Sequence, residues 1–319
     1  MLEPELKTTE TAPYPLCCPD THSNLALEND DIFAAGGKRL GRRIGPVWSF
    51  MEKQDEFYEG KFNNRVRYSP KSDSWLATLP LRIVMQSYPN TVAAEVREGS
   101  RVVEIGCAGG LTWFGQRFRM IGIDLSYAAL ELAADDYELV LQCDATHMPL
   151  SDESVDAVVS SCLFEHLTDD QKSALVSEAR RILKPGGKLV FLYDLWTENP
   201  VIANYRRADP KLYQRLFLDQ DGHVGYRSIE QNRSHFRDAG FSITKEVFHE
   251  RTPLLSNSVW TKFSKWSGIR RCFGRLGMLF TSGLLRIPAL TVLMIIDSTI
   301  GKTFPASYAR GMITVAKKK

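Results

Sequence analysis

No stretch of this chain offers the roughly 20 consecutive apolar residues that cross a bilayer as a helix. The longest candidate, within 276–296, is interrupted by Arg286 and Pro288. The first ten residues, MLEPELKTTE, have neither the basic nor the apolar region of a secretory leader. Cysteine is scarce: Cys17, Cys18, Cys107, Cys143, Cys162 and Cys272 are too few and too irregular for a disulfide framework in 319 residues. These absences lead to the expectation of a protein kept in reducing cytoplasm. An excess of one charge is missing too. Forty basic and 38 acidic residues leave a net +2, so overall charge names no partner. No internal repeat and no low-complexity tract occurs, and 44% hydrophobic with 24% charged residues is ordinary globular composition.

The near-neutral total hides an asymmetry. Residues 251–319 hold 12 Lys/Arg and one acidic residue, Asp297, a net +11, whereas residues 1–250 carry a net −9. The last fifth of the chain is a different kind of surface.

From Val102 onward, short apolar runs alternate with helical segments. RVVEIG (101–106), MIGID (120–124), ELVLQCD (138–144), VDAVVSS (155–161) and KLVFLYD (188–194) read as strands. DDQKSALVSEARRIL (169–183) reads as a helix stopped by KPGG, and a further helix is expected around 75–87. SIEQNRSHFRDAG (228–240) is another helix, FSITKEVF (241–248) a sixth strand and ARGMITVAK (309–317) a last one. The expected fold is α/β: a Rossmann-like, doubly wound, mostly parallel seven-stranded sheet with a helical insertion before the last strand. The expected segments are a leader (1–50), a helical cap or linker (51–95), a core (96–250), a basic amphipathic insertion (251–305) and the final core strand (306–319).

Such sheets bind ligands beyond the carboxyl ends of their strands. The first strand ends in Glu104-Ile105-Gly106-Cys107-Ala108-Gly109-Gly110, a bend that lets backbone approach a ligand closely. Asp124 ends the second strand, placed to accept hydrogen bonds from two ribose hydroxyls, and Asp144 ends the third. Leu111 stands where a dinucleotide fingerprint has its third glycine, which disfavours NAD.

VVEIGCAGG, GIDLS, CDATHMPLSDESVDAVVSSCLFEHL and ILKPGGKLVFLYD resemble, in order and spacing, the motifs of class I S-adenosylmethionine-dependent methyltransferases of the small-molecule (type 11) group. The resemblance covers about 96–250 and the final strand. It implies S-adenosyl-L-methionine as cofactor, with Glu104, Gly106, Ala108 and Gly110 in the loop facing its methionine end. It further implies Asp124 and Leu125 at the ribose, Asp144 and Ala145 at the adenine, and Ser161 and Cys162 beside the sulfonium. One departure stands out: the central loop residue, usually glycine, is Ala108. Its methyl group either crowds the cofactor or is tolerated at negative φ.

Methyl transfer from a sulfonium needs alignment and exclusion of water, and a base only when the acceptor must lose a proton. His166, in FEHL, and His223, in DGHVGYRS, are the candidate bases, and Tyr193 and Asp194 also end a strand. No metal site is expected. The leader YPLCCPDTHSNLALENDD is similar to a zinc-ribbon knuckle, of the kind that precedes certain RNA guanine methyltransferases. No Cys or His follows from Ser23 to Ser100, so it reads as a degenerate ribbon.

Trp266, Ile269, Phe273, Leu276 and Phe280 recur at helical spacing, with Arg270, Arg271 and Arg275 off that stripe. Two readings stay open: a contact with an anionic membrane surface through 256–300, or a lid or dimer interface. The first would place a cytoplasmic protein peripherally on the inner face of a membrane. Nucleic acid is disfavoured because the segment is so apolar. The expected function is methylation, at oxygen, of a small-molecule or lipid-like acceptor. The alternatives are an RNA methyltransferase and a non-catalytic interaction module at the membrane.

Overall fold

The computed structural model describes residues 10–11, 14–51, 59 and 87–319. The helix expected around 75–87 lies outside them except for Ser87, which opens the helix Ser87–Glu95.

The core strands form where β-branched and aliphatic residues run together: β6 (Arg101–Ile105), β7 (Arg119–Asp124), β8 (Leu139–Gln142), β9 (Val155–Ser161) and β10 (Leu183–Asp194). They pair in parallel, in the order β8-β7-β6-β9-β10. β12 (Gly311–Lys318) inserts antiparallel between β10 and β11 (Phe241–His249). Helices cover both faces, so the central strands are buried on each side. One apolar cluster is built around Val103, Ile121, Leu141 and Phe191, another around Val102, Phe114, Val140 and Val190. The helices Asp169–Ile182 and Ile229–Asp238 each start in a reciprocal capping box, Thr168 with Gln171 and Ser228 with Gln231.

The seven expected strands are all present, but the sheet does not stop there. The leader contributes β1 (Glu10–Thr11), β2 (Leu25–Glu28), β3 (Asp31–Ala34), β4 (Arg39–Ile44) and β5 (Val47–Ser49) as an antiparallel meander. β5 then pairs in parallel with β8, giving twelve strands among the described residues instead of the expected seven. Cys17 and Cys18 are buried, with Cys18 packed among Leu16, Leu25 and Ile32. His22 instead lies 3.2 Å from Asp152. The leader's cysteines therefore serve packing, and the ribbon-like reading gains no support from these contacts.

A third apolar cluster sits apart from the sheet. Ile202, Tyr205, Tyr213 and Phe217, which follow β10, pack with Val259, Phe263 and Trp266 of the insertion. Tyr205 and Phe263 stack at 3.7 Å between centroids. The helix Gly268–Phe280 leans on the helix Asn257–Phe263 through its glycines. A Cβ at Gly277 would lie 2.3 Å from Trp260 Cδ2. Small residues therefore face inward, and Ile269, Phe273, Leu276 and Phe280 face outward, each at least half exposed. Trp266 does not share this face: it is buried, and its Nε1 donates to Tyr205 O at 3.2 Å. Among the described residues no helix is long and apolar enough to cross a membrane.

Candidate active site

The carboxyl ends of β6, β7, β9 and β10 lie side by side, since Ile105 pairs with Ile123 and Ser160, and Ser161 pairs with Leu192. Beyond β6 the chain turns back at once, with Gly106 at φ 67° and Gly110 at φ 75°. The N–H groups of Gly106 and Cys107 donate to Ile123 O at 2.8 and 3.1 Å, which holds the bend against β7. A Cβ on Gly106 would meet Leu163 Cδ2 at 3.3 Å, so the bend also touches the turn after β9. Ala108 does not adopt the negative φ that would accommodate its methyl group easily. Its φ is 45°, a left-handed conformation that costs an L-residue roughly 1–2 kcal/mol. The Ala108 N–H donates to Asp124 Oδ2 at 2.8 Å, and this bond helps hold the strained loop.

Asp124 thus shares one rim with Gly106. Its Oδ1 accepts from the Ser126 N–H at 3.0 Å. Burial raises its pKa, and the backbone N–H groups oppose that rise. A carboxylate has about four acceptor sites, so two backbone bonds leave capacity for a pair of hydroxyl donors. Glu59, which sequence reasoning missed, joins this rim. It accepts from the Tyr127 N–H at 2.6 Å, the Ala128 N–H at 3.3 Å and the Ser126 hydroxyl at 3.2 Å. No spacing rule ties residue 59 to a turn so far along the chain.

The other expected cofactor residues are more dispersed. Glu104 lies beneath the bend, where its carboxyl takes the Tyr137 hydroxyl hydrogen while Tyr137 accepts from the Leu111 N–H at 2.9 Å. Burial pushes Glu104 up to about 8. It braces the loop through Tyr137. Leu125 offers its carbonyl to Gln142 Nε2 at 2.9 Å. Asp144 is exposed, and its Oδ1 accepts from both the N–H and the hydroxyl of Thr146 at 2.8 Å, a turn cap. Ala145 and Ser161 are half-buried, and Cys162 is exposed with φ 55°.

The two candidate bases meet. The rings of His166 and His223 lie 4.7 Å apart between centroids. His166 Nδ1 faces the Gly222 carbonyl at 3.1 Å, and His223 Nδ1 faces the Phe217 carbonyl at 2.9 Å. Phe217 belongs to a π-helical turn, Gln214–Asp219, which links this corner to the helical cap. Burial, reinforced by His166, lowers His223 to about 4. Glu165 is buried beside them, and its Oε2 has no hydrogen-bond partner among the described residues. Burial and then Asp194 push Glu165 up to about 8. Tyr193 turns away, its hydroxyl 2.8 Å from Thr314 Oγ1. Asp194 Oδ2 accepts from Arg310 Nη1 at 2.9 Å and the Tyr226 hydroxyl at 3.1 Å.

Residues 103–191 match the family model described as "Methyltransferase domain". An uncharacterized methyltransferase of Geobacillus sp. (strain WCH70) is 29% identical over 49% of this chain and 75% of its own length. The tRNA (carboxymethyluridine(34)-5-O)-methyltransferase of Macaca fascicularis is 30% identical over 50% of this chain and 27% of its own. The fatty-acid O-methyltransferase of Mycolicibacterium smegmatis is 32% identical over 35% and 43%. The chain thus spans three quarters of the first relative and under half of the other two. Among solved structures, geranyl diphosphate C-methyltransferase of Streptomyces coelicolor superposes with a TM-score of 0.50 at 16% identity, covering 81% of this chain and 89% of that one. This likeness shows the fold.

The sheet order, the glycine bend beside a strand-end carboxylate and the match over residues 103–191 mark a class I methyltransferase domain. Within that class, the chain carries an S-adenosylmethionine-dependent methyltransferase domain of the type 11 family.

Proposed function

We propose that this protein methylates an oxygen of a small-molecule or lipid-like acceptor. The observation that carries this reading is the meeting of two unlike surfaces at one sheet edge: the Gly106–Asp124 rim and the aromatic cap behind His223. When bound, S-adenosylmethionine supplies a methyl group on a sulfonium, which leaves as a neutral thioether without help from an acid. The residues present fit it: Gly106 and Gly110 open the backbone, and Asp124 keeps acceptor capacity for ribose hydroxyls. Asp144, Ala145, Ser161 and Cys162 would continue the contact along the strand ends. The chain's remaining task is to align the acceptor and exclude water. His223 is neutral above pH ~5 because burial holds its pKa to about 4, so its imidazole is available to accept a proton from an acceptor hydroxyl. Its weak basicity makes it a modest base.

The fatty-acid O-methyltransferase among the relatives supports a lipid-like acceptor, and the outward stripe Ile269, Phe273, Leu276 and Phe280 supports it independently. With Arg270, Arg271 and Arg275 on the same helix, its chemistry suits an anionic lipid surface, from which such an acceptor would be drawn. Incubating the protein with labelled S-adenosylmethionine and a panel of hydroxylated and carboxylated lipids should yield labelled ester or ether products together with S-adenosylhomocysteine. Turnover on transfer RNA with none on any lipid would replace this reading by the second one, which the tRNA-modifying relative favours.

A further inference from the structure

We infer that Glu165, His166 and His223 form a binding site for one divalent first-row transition-metal ion. One ligand atom from each of the three lies within 4.8 Å of the other two, and among the described residues these three are the group so placed. Around one ion at ~2.1 Å, ligand atoms sit no more than ~4.2 Å apart, so small side-chain rotations close the site.

Three further features point to an ion. Both imidazoles have the Nδ1 atom set against a backbone carbonyl, Gly222 O for His166 and Phe217 O for His223. A carbonyl only accepts, so each Nδ1 carries the hydrogen and each Nε2 the lone pair. That is how outer carbonyls orient histidine ligands of metals. Next, Glu165 is 2% exposed and its Oε2 lacks a hydrogen-bond partner among the described residues. The nearby ammonium of Lys172 does not satisfy it: that group donates to Gly225 O at 2.6 Å and Asn232 Oδ1 at 2.9 Å. A buried polar atom left unpaired is costly, and a cation would remove that cost. Finally, the remaining acidic neighbours are already engaged, Asp194 with Arg310 and Asp221 with Lys262. They do not compete as ligands.

Two histidines and one carboxylate favour zinc, iron or manganese over magnesium or calcium, and leave positions open. If the protein methylates an oxygen acceptor as proposed above, those positions would take the acceptor oxygen and lower its pKa. This would perform the activation for which His223 alone is poorly suited.

The test is metal binding by the full-length protein, stripped with chelator, in the absence of cofactor and acceptor. Its outcome is thus separate from that of methyl transfer. Titration with Co2+ should give a saturable 1:1 d–d spectrum without a sulfur charge-transfer band, and Zn2+ should displace it. Glu165→Gln, His166→Asn and His223→Asn should each weaken Co2+ binding at least about tenfold while binding S-adenosylhomocysteine as wild type does. In the wild type, Co2+ should shift the ring nitrogen resonances of His166 and His223, a readout that needs no variant to fold. Absence of 1:1 binding of Co2+, Zn2+ and Mn2+ would overturn the site. So would wild-type affinity in any one variant, unshifted histidine resonances, or a thiolate band placing the ion on cysteine.

Discussion

The two halves of the sheet edge are built in opposite ways. At the β6–β7 end, the Gly106 bend and Asp124 belong to contiguous strand–turn units and are bonded backbone to side chain. At the β9–β10 end, His166 and His223 come from segments far apart in sequence, joined by a cap of aromatic packing and a π-helical turn. On the proposed reading, the first half holds a constant ligand and the second a variable one. A local turn changes little between proteins that hold the same nucleoside. A long connection between sheet and cap can be rebuilt for each acceptor.

This contrast predicts separable defects. The largest effect belongs to the local half. Asp124→Ala removes the proposed ribose acceptor and releases the Ala108 N–H, so it should weaken S-adenosylhomocysteine binding by roughly 2–3 kcal/mol, about a hundredfold, by calorimetry. Wild-type affinity would refute the rim assignment. Next comes the cap. Gly277→Val drives a side chain into Trp260 and should destabilise the cap by ~1–3 kcal/mol. Proteolysis within 257–300 should accelerate while cofactor affinity holds. If both fall together, the halves are coupled and the comparison fails. Replacing Phe273, Leu276 and Phe280 by serine alters only exposed positions and should leave the melting temperature nearly unchanged. Co-sedimentation with anionic vesicles should disappear.

The smaller effects concern the bend itself. Glu104 has its pKa raised to about 8 against an ordinary 4.5, so the folded state holds a proton that the unfolded state releases. Its stabilising contribution is complete below pH ~4.5 and is lost as pH rises towards 8. Denaturant unfolding should show a declining contribution over that window, flattened in Glu104→Gln. Ala108→Gly relieves the left-handed strain and should raise stability by about 1 kcal/mol. A loss instead would mean that the Ala108 methyl group makes a packing contact worth more than the strain.

Much of the first half was legible because it obeys short-range rules. Period and composition located β6 to β12, although β10 starts at Leu183 and runs through the KPGG that reads as a helix stop, and the Gly106–Asp124 relation follows from strand–turn–strand geometry. The rest needed distances along the chain that no local rule spans. Glu59, beyond the leader, reaches Ser126, and β5 adds to β8 through a leader whose cysteines suggested a different purpose. The stripe on Gly268–Phe280 was visible, but its outward direction was not. Periodicity identifies a face and cannot say which face is covered, and here Gly274 and Gly277 took the inside. Trp266 matched the stripe by spacing yet precedes the helix, at a turn that aims it into the cap.

The sequence by itself determined the alternation of strands and helices, the glycine bend and the carboxylate that faces it, because these depend on backbone sterics and side-chain period over a few residues. Only the tertiary structure decided that the leader extends the sheet, that Ala108 is strained, and that Glu165, His166 and His223 converge. Such convergence depends on how cap and sheet pack against each other, a sum over many weak contacts that no single segment encodes.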